Sequence, residues 1–246
     1  MKNKLMCHVV AGYPSQKECI ELLLGMQKTG IKTIEVQIPF SDPIADGETI
    51  MKANDRAIEN DMTTKKSFEL LKKARDSGLK ADVYIMSYLQ KVLSCGIEDF
   101  CIQAQSVNAK GLIIPDLPVD TEEYKLLRKA ADRYGLEIVP VVSPGADIDR
   151  LGEVIKHAGD LIYLTSIKGI TGNKLKLSAS LKDLAKIVKN LKPDSKLAVG
   201  FGIQTKEDVK EVLDIADIAV LGSSVIRRID RSGVKNSLEF LTTLLR

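Results

Sequence analysis

Residues 196–224 read KLAVGFGIQTKEDVKEVLDIADIAVLGSS, and the architecture of the whole chain can be worked out from them. The stretch opens with a short apolar run, Lys196 to Val199, which leaves through Gly200-Phe201-Gly202-Ile203. A helical segment of roughly Lys206–Ile215 follows, then a second apolar run, Ile218 to Leu221, and the turn Gly222-Ser223-Ser224. Strand, helix and strand in that order make a parallel pair joined by a right-handed crossover. Both strands exit through glycine, which lets backbone N–H groups come close to a ligand.

The same unit recurs back to the start of the chain. Further apolar runs lie at Met6–Ala11, Ile34–Ile38, Ala81–Met86, Gly111–Ile114, Glu137–Val142 and Leu161–Leu164, which gives eight strands. Helical segments separate them. Ser15 is placed to cap one that runs to about Thr29, and Gly47–Ser77 holds a second region broken near residues 61–63. Others fall at Ile97–Val107, after Thr121, near Asp147–His157 and at about Ser180–Leu191. Strict alternation suits an open doubly wound sheet as well as a barrel. The glycines separate the two, because no G-x-G-x-x-G follows the first strand, while glycine turns follow strands six, seven and eight. A phosphate site after the last strands is the recurrent arrangement of (β/α)8 barrels. The expectation is a single-domain α/β (β/α)8 TIM barrel over residues 1–246, with phosphate at Gly172, Gly202, Gly222 and Ser223. For any one of these glycines a tight turn is reason enough; the succession of three carries the argument. No Walker A loop is present, which argues against nucleotide hydrolysis.

Composition narrows the function further. Of 246 residues, 44% are hydrophobic and 28% charged, the balance of a water-soluble globular chain. A net charge of +3, with no basic tract interleaved with aromatics, gives no footprint for nucleic acid. Cys7, Cys19, Cys95 and Cys101 form no CxxC pair and stand beside only two histidines, which speaks against zinc and a disulfide framework. No signal-like pattern or bilayer-length apolar run is seen, so the expectation is a cytoplasmic protein with no membrane partner.

The chemistry points to residues 34–47, Ile-Glu-Val-Gln-Ile-Pro-Phe-Ser-Asp-Pro-Ile-Ala-Asp-Gly. Ile34, Val36 and Ile38 alternate with Glu35 and Gln37 as in a strand, and Pro39 ends it. Glu35, Asp42 and Asp46 then lie within reach of one another. A carboxylate among Val and Ile is costly to bury unless something needs it. The bland reading, a structural Glu paired with a lysine, suits a lone Glu35 but not one succeeded by such a loop. Glu35 together with Pro39-Phe-Ser-Asp-Pro-x-Ala-Asp-Gly47 resembles the signature of the tryptophan synthase alpha subunit family. The resemblance extends over nearly the whole chain, through Gly12 and Pro14, Tyr88, Pro115-Asp116-Leu117-Pro118, Tyr163 and Gly169-Ile170-Thr171-Gly172.

That resemblance implies a carbon–carbon lyase that cleaves indole-3-glycerol phosphate into indole and glyceraldehyde 3-phosphate by retro-aldol chemistry. It makes Glu35 the proton shuttle and Asp46 its electrostatic partner. Tyr88 and Tyr163 would line the indole pocket, and Thr171, Gly172, Gly202, Gly222 and Ser223 would bind substrate. It implies no metal and no cofactor in this chain, and a PLP-containing beta subunit as partner in an α2β2 heterotetramer. Several positions depart from the family. Gln37 stands where glycine is usual, on the same face as Glu35, so its amide either bonds that carboxylate or fills aryl space. His8 replaces an aromatic residue near the indole, Gln90-Lys91 replaces Asn-Pro, Ile167 and Lys168 alter the sixth loop, and the helix that usually plugs the barrel is missing. Two alternatives therefore stand: a stand-alone paralogue for a related aryl or polyol phosphate, and a non-catalytic regulator of a PLP-dependent beta subunit.

Overall fold

Pro140 has no backbone N–H to give to a ladder, and it cuts the expected fifth strand in two. In the computed structural model, which describes residues 4–145, 148–165, 179–200 and 202–245 without the side chains of 148–150 and 179, the strands therefore number nine. They are β1 (Leu5–Val10), β2 (Thr33–Gln37), β3 (Asp82–Met86), β4 (Ala109–Ile113), β5 (Glu137–Val139), β6 (Val141–Val142), β7 (Leu161–Thr165), β8 (Lys196–Gly200) and β9 (Ile218–Leu221). All pair in parallel, in the order β5-β4-β3-β2-β1-β9-β8-β7-β6. The two ends of that order, β5 and β6, are one strand either side of Pro140. The sheet thus closes on itself as an eight-stranded barrel. Pro140 still takes part through its carbonyl, which accepts from Tyr163 N at 2.9 Å.

The helices are α1 (Gln16–Thr29), α2 (Glu48–Glu59), α3 (Thr64–Asp76), α4 (Leu89–Cys95), α5 (Ile97–Ser106), α6 (Glu122–Arg133), α7 (Ile148–Lys156), α8 (Ala179–Leu191), α9 (Lys206–Leu213) and α10 (Ser223–Leu245). Ser15 caps α1 by accepting from Glu18 N, and Thr121 caps α6 by accepting from Tyr124 N, as their places in the sequence predict. Helix α4 is not announced by the sequence. It starts where Asp116 Oδ1 accepts from Leu89 N at 2.9 Å, a cap lent by the loop after β4. It ends at Gly96, whose φ of 87° lets the chain turn directly into α5.

Strand parity divides the core. Cys7, Val9, Ile34, Val36, Val83 and Ile85 face the helices and pack with Leu22 and Met26 of α1, Phe68 of α3 and Phe100 of α5. Met6, Tyr84, Met86, Ile113, Val139, Leu161, Ala198 and Val220 form a separate cluster inside the barrel. Each large apolar side chain buried this way stabilises the fold by about 1.5–3 kcal/mol. Beyond Met6, inward positions on the two neighbouring strands β1 and β2 are polar instead, with His8, Glu35 and Gln37 all buried. No helix among the described residues is long and apolar enough to cross a membrane.

Candidate active site

Glu35 is directed inward because Ile34 and Val36 on either side of it belong to the outer core. It is 3% exposed and lines a cavity of about 220 Å3 at the C-terminal ends of the strands. The chain then turns at Pro39 and folds back, so that Asp46, just ahead of α2, lines the same cavity while only 6% exposed. Four contacts hold that return. Phe40 N donates to Asn54 Oδ1 at 3.0 Å, and Ala45 N donates to Tyr88 Oη at 3.1 Å. Asp46 Oδ2 accepts from Gln37 Nε2 at 2.7 Å and from Tyr88 Oη at 3.1 Å.

His8 faces Glu35 across the β1–β2 ladder, with Nδ1 3.3 Å from Glu35 Oε2. The distance is that of an ion pair. Glu35 Oε2, His8 Nε2 and Gln37 Oε1 are all buried with no hydrogen-bond partner among the described residues. Unpaired buried polar atoms cost about 1–3 kcal/mol each, so three together mark a place prepared for a polar ligand or a proton. The electrostatics reflect this burial. Burial works against the His8 imidazolium, but Glu35 and Asp46 outweigh it and raise its pKa above the usual histidine value. Burial also raises the pKa of Asp46, against the pull of His8, Gln37 and Tyr88. The Tyr163 hydroxyl is pushed well above its ordinary range by burial, with Glu35 and Asp46 adding to it.

The opposite wall is built by the last strands. Gly200 ends β8 beside Tyr163, where an added Cβ would come within 2.8 Å of the tyrosine oxygen. Gly202, Ile203, Gly222, Ser223 and Ser224 also line the cavity. Ser223 opens α10, so the first N–H groups of that helix have no intrahelical acceptor and can serve an anion. The Ser224 hydroxyl is buried there without a partner among the described residues.

Of the residues singled out from the sequence, Glu35, Asp46, Tyr163, Gly202, Gly222 and Ser223 meet at this one cavity. Thr171, Gly172, Ile167 and Lys168 lie outside the described residues. Two expectations are corrected. Tyr88 does not line the cavity: its ring is fully buried against Phe40, with centres 5.2 Å apart, and its hydroxyl braces Asp46 from behind. Gln37 donates to Asp46 rather than to Glu35, because the return of the loop brings Oδ2 to its amide. Asp42 is exposed and accepts from its neighbour Ser41 Oγ at 2.6 Å, outside the cavity. Asn54 and Ile50 join the site without having been expected there, and Ser224 joins it from the expected turn after the last strand. The signal for Asn54 was a polar residue on the buried face of α2, between Ala53 and Ala57.

Comparison with known proteins agrees with this geometry. The family model of the tryptophan synthase alpha chain matches residues 1–244. The tryptophan synthase alpha chain of Chloroflexus aggregans is 34% identical over 242 residues, covering 98% of this chain and 90% of that protein. The tryptophan synthase of Saccharomyces cerevisiae is 36% identical over 92% of this chain, which spans only 32% of that longer protein. A chain solved for the Pyrococcus furiosus tryptophan synthase α2β2 complex superimposes with a TM-score of 0.85 at 27% identity, covering 99% of this chain and 96% of that one. With the family model running almost from end to end and a relative one-third identical over nearly all of it, this chain belongs to the tryptophan synthase alpha chain family.

Proposed function

We propose that the chain cleaves indole-3-glycerol phosphate into indole and glyceraldehyde 3-phosphate. One observation carries the reading: two buried carboxylates, Glu35 and Asp46, share a cavity that ends at the N-terminus of α10. The phosphate lies against Gly202, Gly222 and Ser223, where backbone N–H groups and the helix dipole favour a dianion. Tyr163 flanks the indole. Indole cannot leave until C3 is protonated, which puts positive charge on the ring nitrogen. Asp46 opposes that charge from its carboxylate, held by Gln37 and Tyr88 through Oδ2, so the other oxygen is the acceptor for the indole N–H. Glu35 gives a proton to C3 and takes one from the hydroxyl beside the breaking carbon–carbon bond, so that the electron pair of that bond returns to the indole.

Nothing in this sequence of steps draws on a cofactor; PLP would belong to a beta-subunit partner. Such a partner is supported by the likeness to the Pyrococcus furiosus α2β2 chain and by Ile44, 77% exposed in the loop that carries Asp46. A docking surface there would tie partner binding to the position of the catalytic aspartate. The test is indole release from indole-3-glycerol phosphate by the isolated protein, and its absence under all conditions rejects the reading. A second reading, cleavage of a related aryl polyol phosphate, is favoured by His8, which lines the cavity with Nε2 unpaired among the described residues. It predicts a higher kcat/KM for an analogue with a hydrogen-bonding ring substituent than for the parent indole compound.

A further inference from the structure

Glu35 has almost no contact with water, so the proton that it gives to carbon and regains from the hydroxyl has to be held within the site. A titratable neighbour, His8, lies 3.3 Å away across the ladder and is itself 5% exposed. The surroundings of the imidazole are specific. Glu35 and Gln37 come from β2 and Asp46 from the loop after it, each favouring the imidazolium, while Tyr163 of β7 lines the same cavity. The other side is apolar or bare: Ile50 of α2 and Gly222, where an added methyl would touch His8 Cβ at 3.4 Å. His8 Nε2 has no acceptor among the described residues, so the ring takes its orientation from Glu35 through Nδ1.

We propose that His8 is a positioning residue for Glu35 and holds with it one shared proton. This rests on the retro-aldol reading of the same site. The shared proton passes from His8 Nδ1 to Glu35 Oε2 and on to indole C3, which leaves Glu35 a carboxylate and His8 a neutral imidazole. When the carbon–carbon bond breaks, the proton of the neighbouring hydroxyl enters the pair through Glu35. The pair begins and ends with one proton, and no other reactant is consumed. The raised pKa of His8 agrees with this, since burial alone would lower it.

The test has two arms. The chain contains only two histidines, so the imidazole signals of His8 and His157 can be followed separately by NMR during a pH titration of the full-length protein. His8 should titrate above the ordinary histidine range, and Glu35→Gln should lower its midpoint by about one pH unit or more while His157 stays put. An unmoved His8 midpoint overturns the pair, whatever the enzyme's substrate. In the second arm, kcat for indole release is followed against pH in the wild type, His8→Gln and His8→Phe. Wild-type kcat should fall with rising pH at the His8 midpoint. His8→Gln should lower kcat about 10- to 100-fold with KM nearly unchanged, and should remove that limb. A limb that stays in place in both variants, with each still folded by thermal unfolding, overturns the proton-supply role. If the wild type releases no indole, the functional reading fails, and the NMR arm still decides whether the pair exists.

Discussion

Glu35 and Asp46 are both acids, yet the barrel gives them different surroundings. Glu35→Gln keeps the shape and the inward position but removes the transferable proton. Indole release should fall by a factor of about 10² to 10⁴ with phosphate binding retained; near-wild-type turnover would remove Glu35 from the mechanism. Asp46 differs because burial raises its pKa in the folded protein. The native state therefore binds that proton more tightly than the unfolded chain does, and the stability linked to it is lost as pH rises through the raised value. Asp46→Asn should abolish most activity and make unfolding stability less dependent on pH in that range, as measured by denaturant titration at several pH values. Gln37→Gly takes away a hydrogen bond that lowers the pKa of Asp46. The acid limb of the activity profile should move to higher pH, and an unmoved limb would leave Gln37 a filler. Glu35 and Asp46 were legible because a carboxylate on an apolar strand and a Pro-bounded loop are local signals. The partner of Gln37 was not, since it depends on a loop returning nine residues later to a particular atom.

Among the elements, α10 matters most for binding. Its first residues come directly after Gly222, and Ser223 and Ser224 both line the cavity. Replacing both serines with alanine removes two hydroxyl donors without altering the helix. KM should rise about 5- to 30-fold, equivalent to about 1–2 kcal/mol, with kcat nearly constant. Inorganic phosphate should weaken as a competitive inhibitor in parallel. If KM is unchanged, the phosphate rests elsewhere. The glycine turns that lead into these elements were readable because glycine and serine after an apolar run are punctuation in the sequence. The start of α4 was not, because its N-terminal acceptor, Asp116, lies 27 residues further along the chain. The break in the fifth strand is marked by Pro140 and still reads as continuous, because the apolar run on either side of it is unbroken in sequence.

For the molecule as a whole, alternation of strands and helices dictated the parallel pairing, while closure rested on where the glycines fall. Closure itself is the pairing of β1 with β9 and the joining of β5 and β6 through Pro140, contacts between distant parts of the chain that no local pattern contains. The assembled barrel holds Asp46 through its own groups, Gln37 and Tyr88, while Asn54 anchors the loop before it. The isolated protein should therefore release indole measurably, and a beta subunit should bind and raise the rate by further ordering of residues 38–47. Indole release with and without that subunit, beside a direct binding titration, measures both. No binding at micromolar concentration together with an unchanged rate would reject the partnership.

The polar inward face of β2 also limits how this gene product can vary. A single residue inserted ahead of Thr33 would rotate the strand's allegiance by half a turn, sending Glu35 and Gln37 toward the helices and Ile34 and Val36 into the barrel. Two inserted residues would restore the facing but carry the carboxylate about 6.6 Å along the strand, past His8 and into the place of Gln37. Length changes just before this strand are thus excluded for two separate reasons, one of packing and one of chemistry.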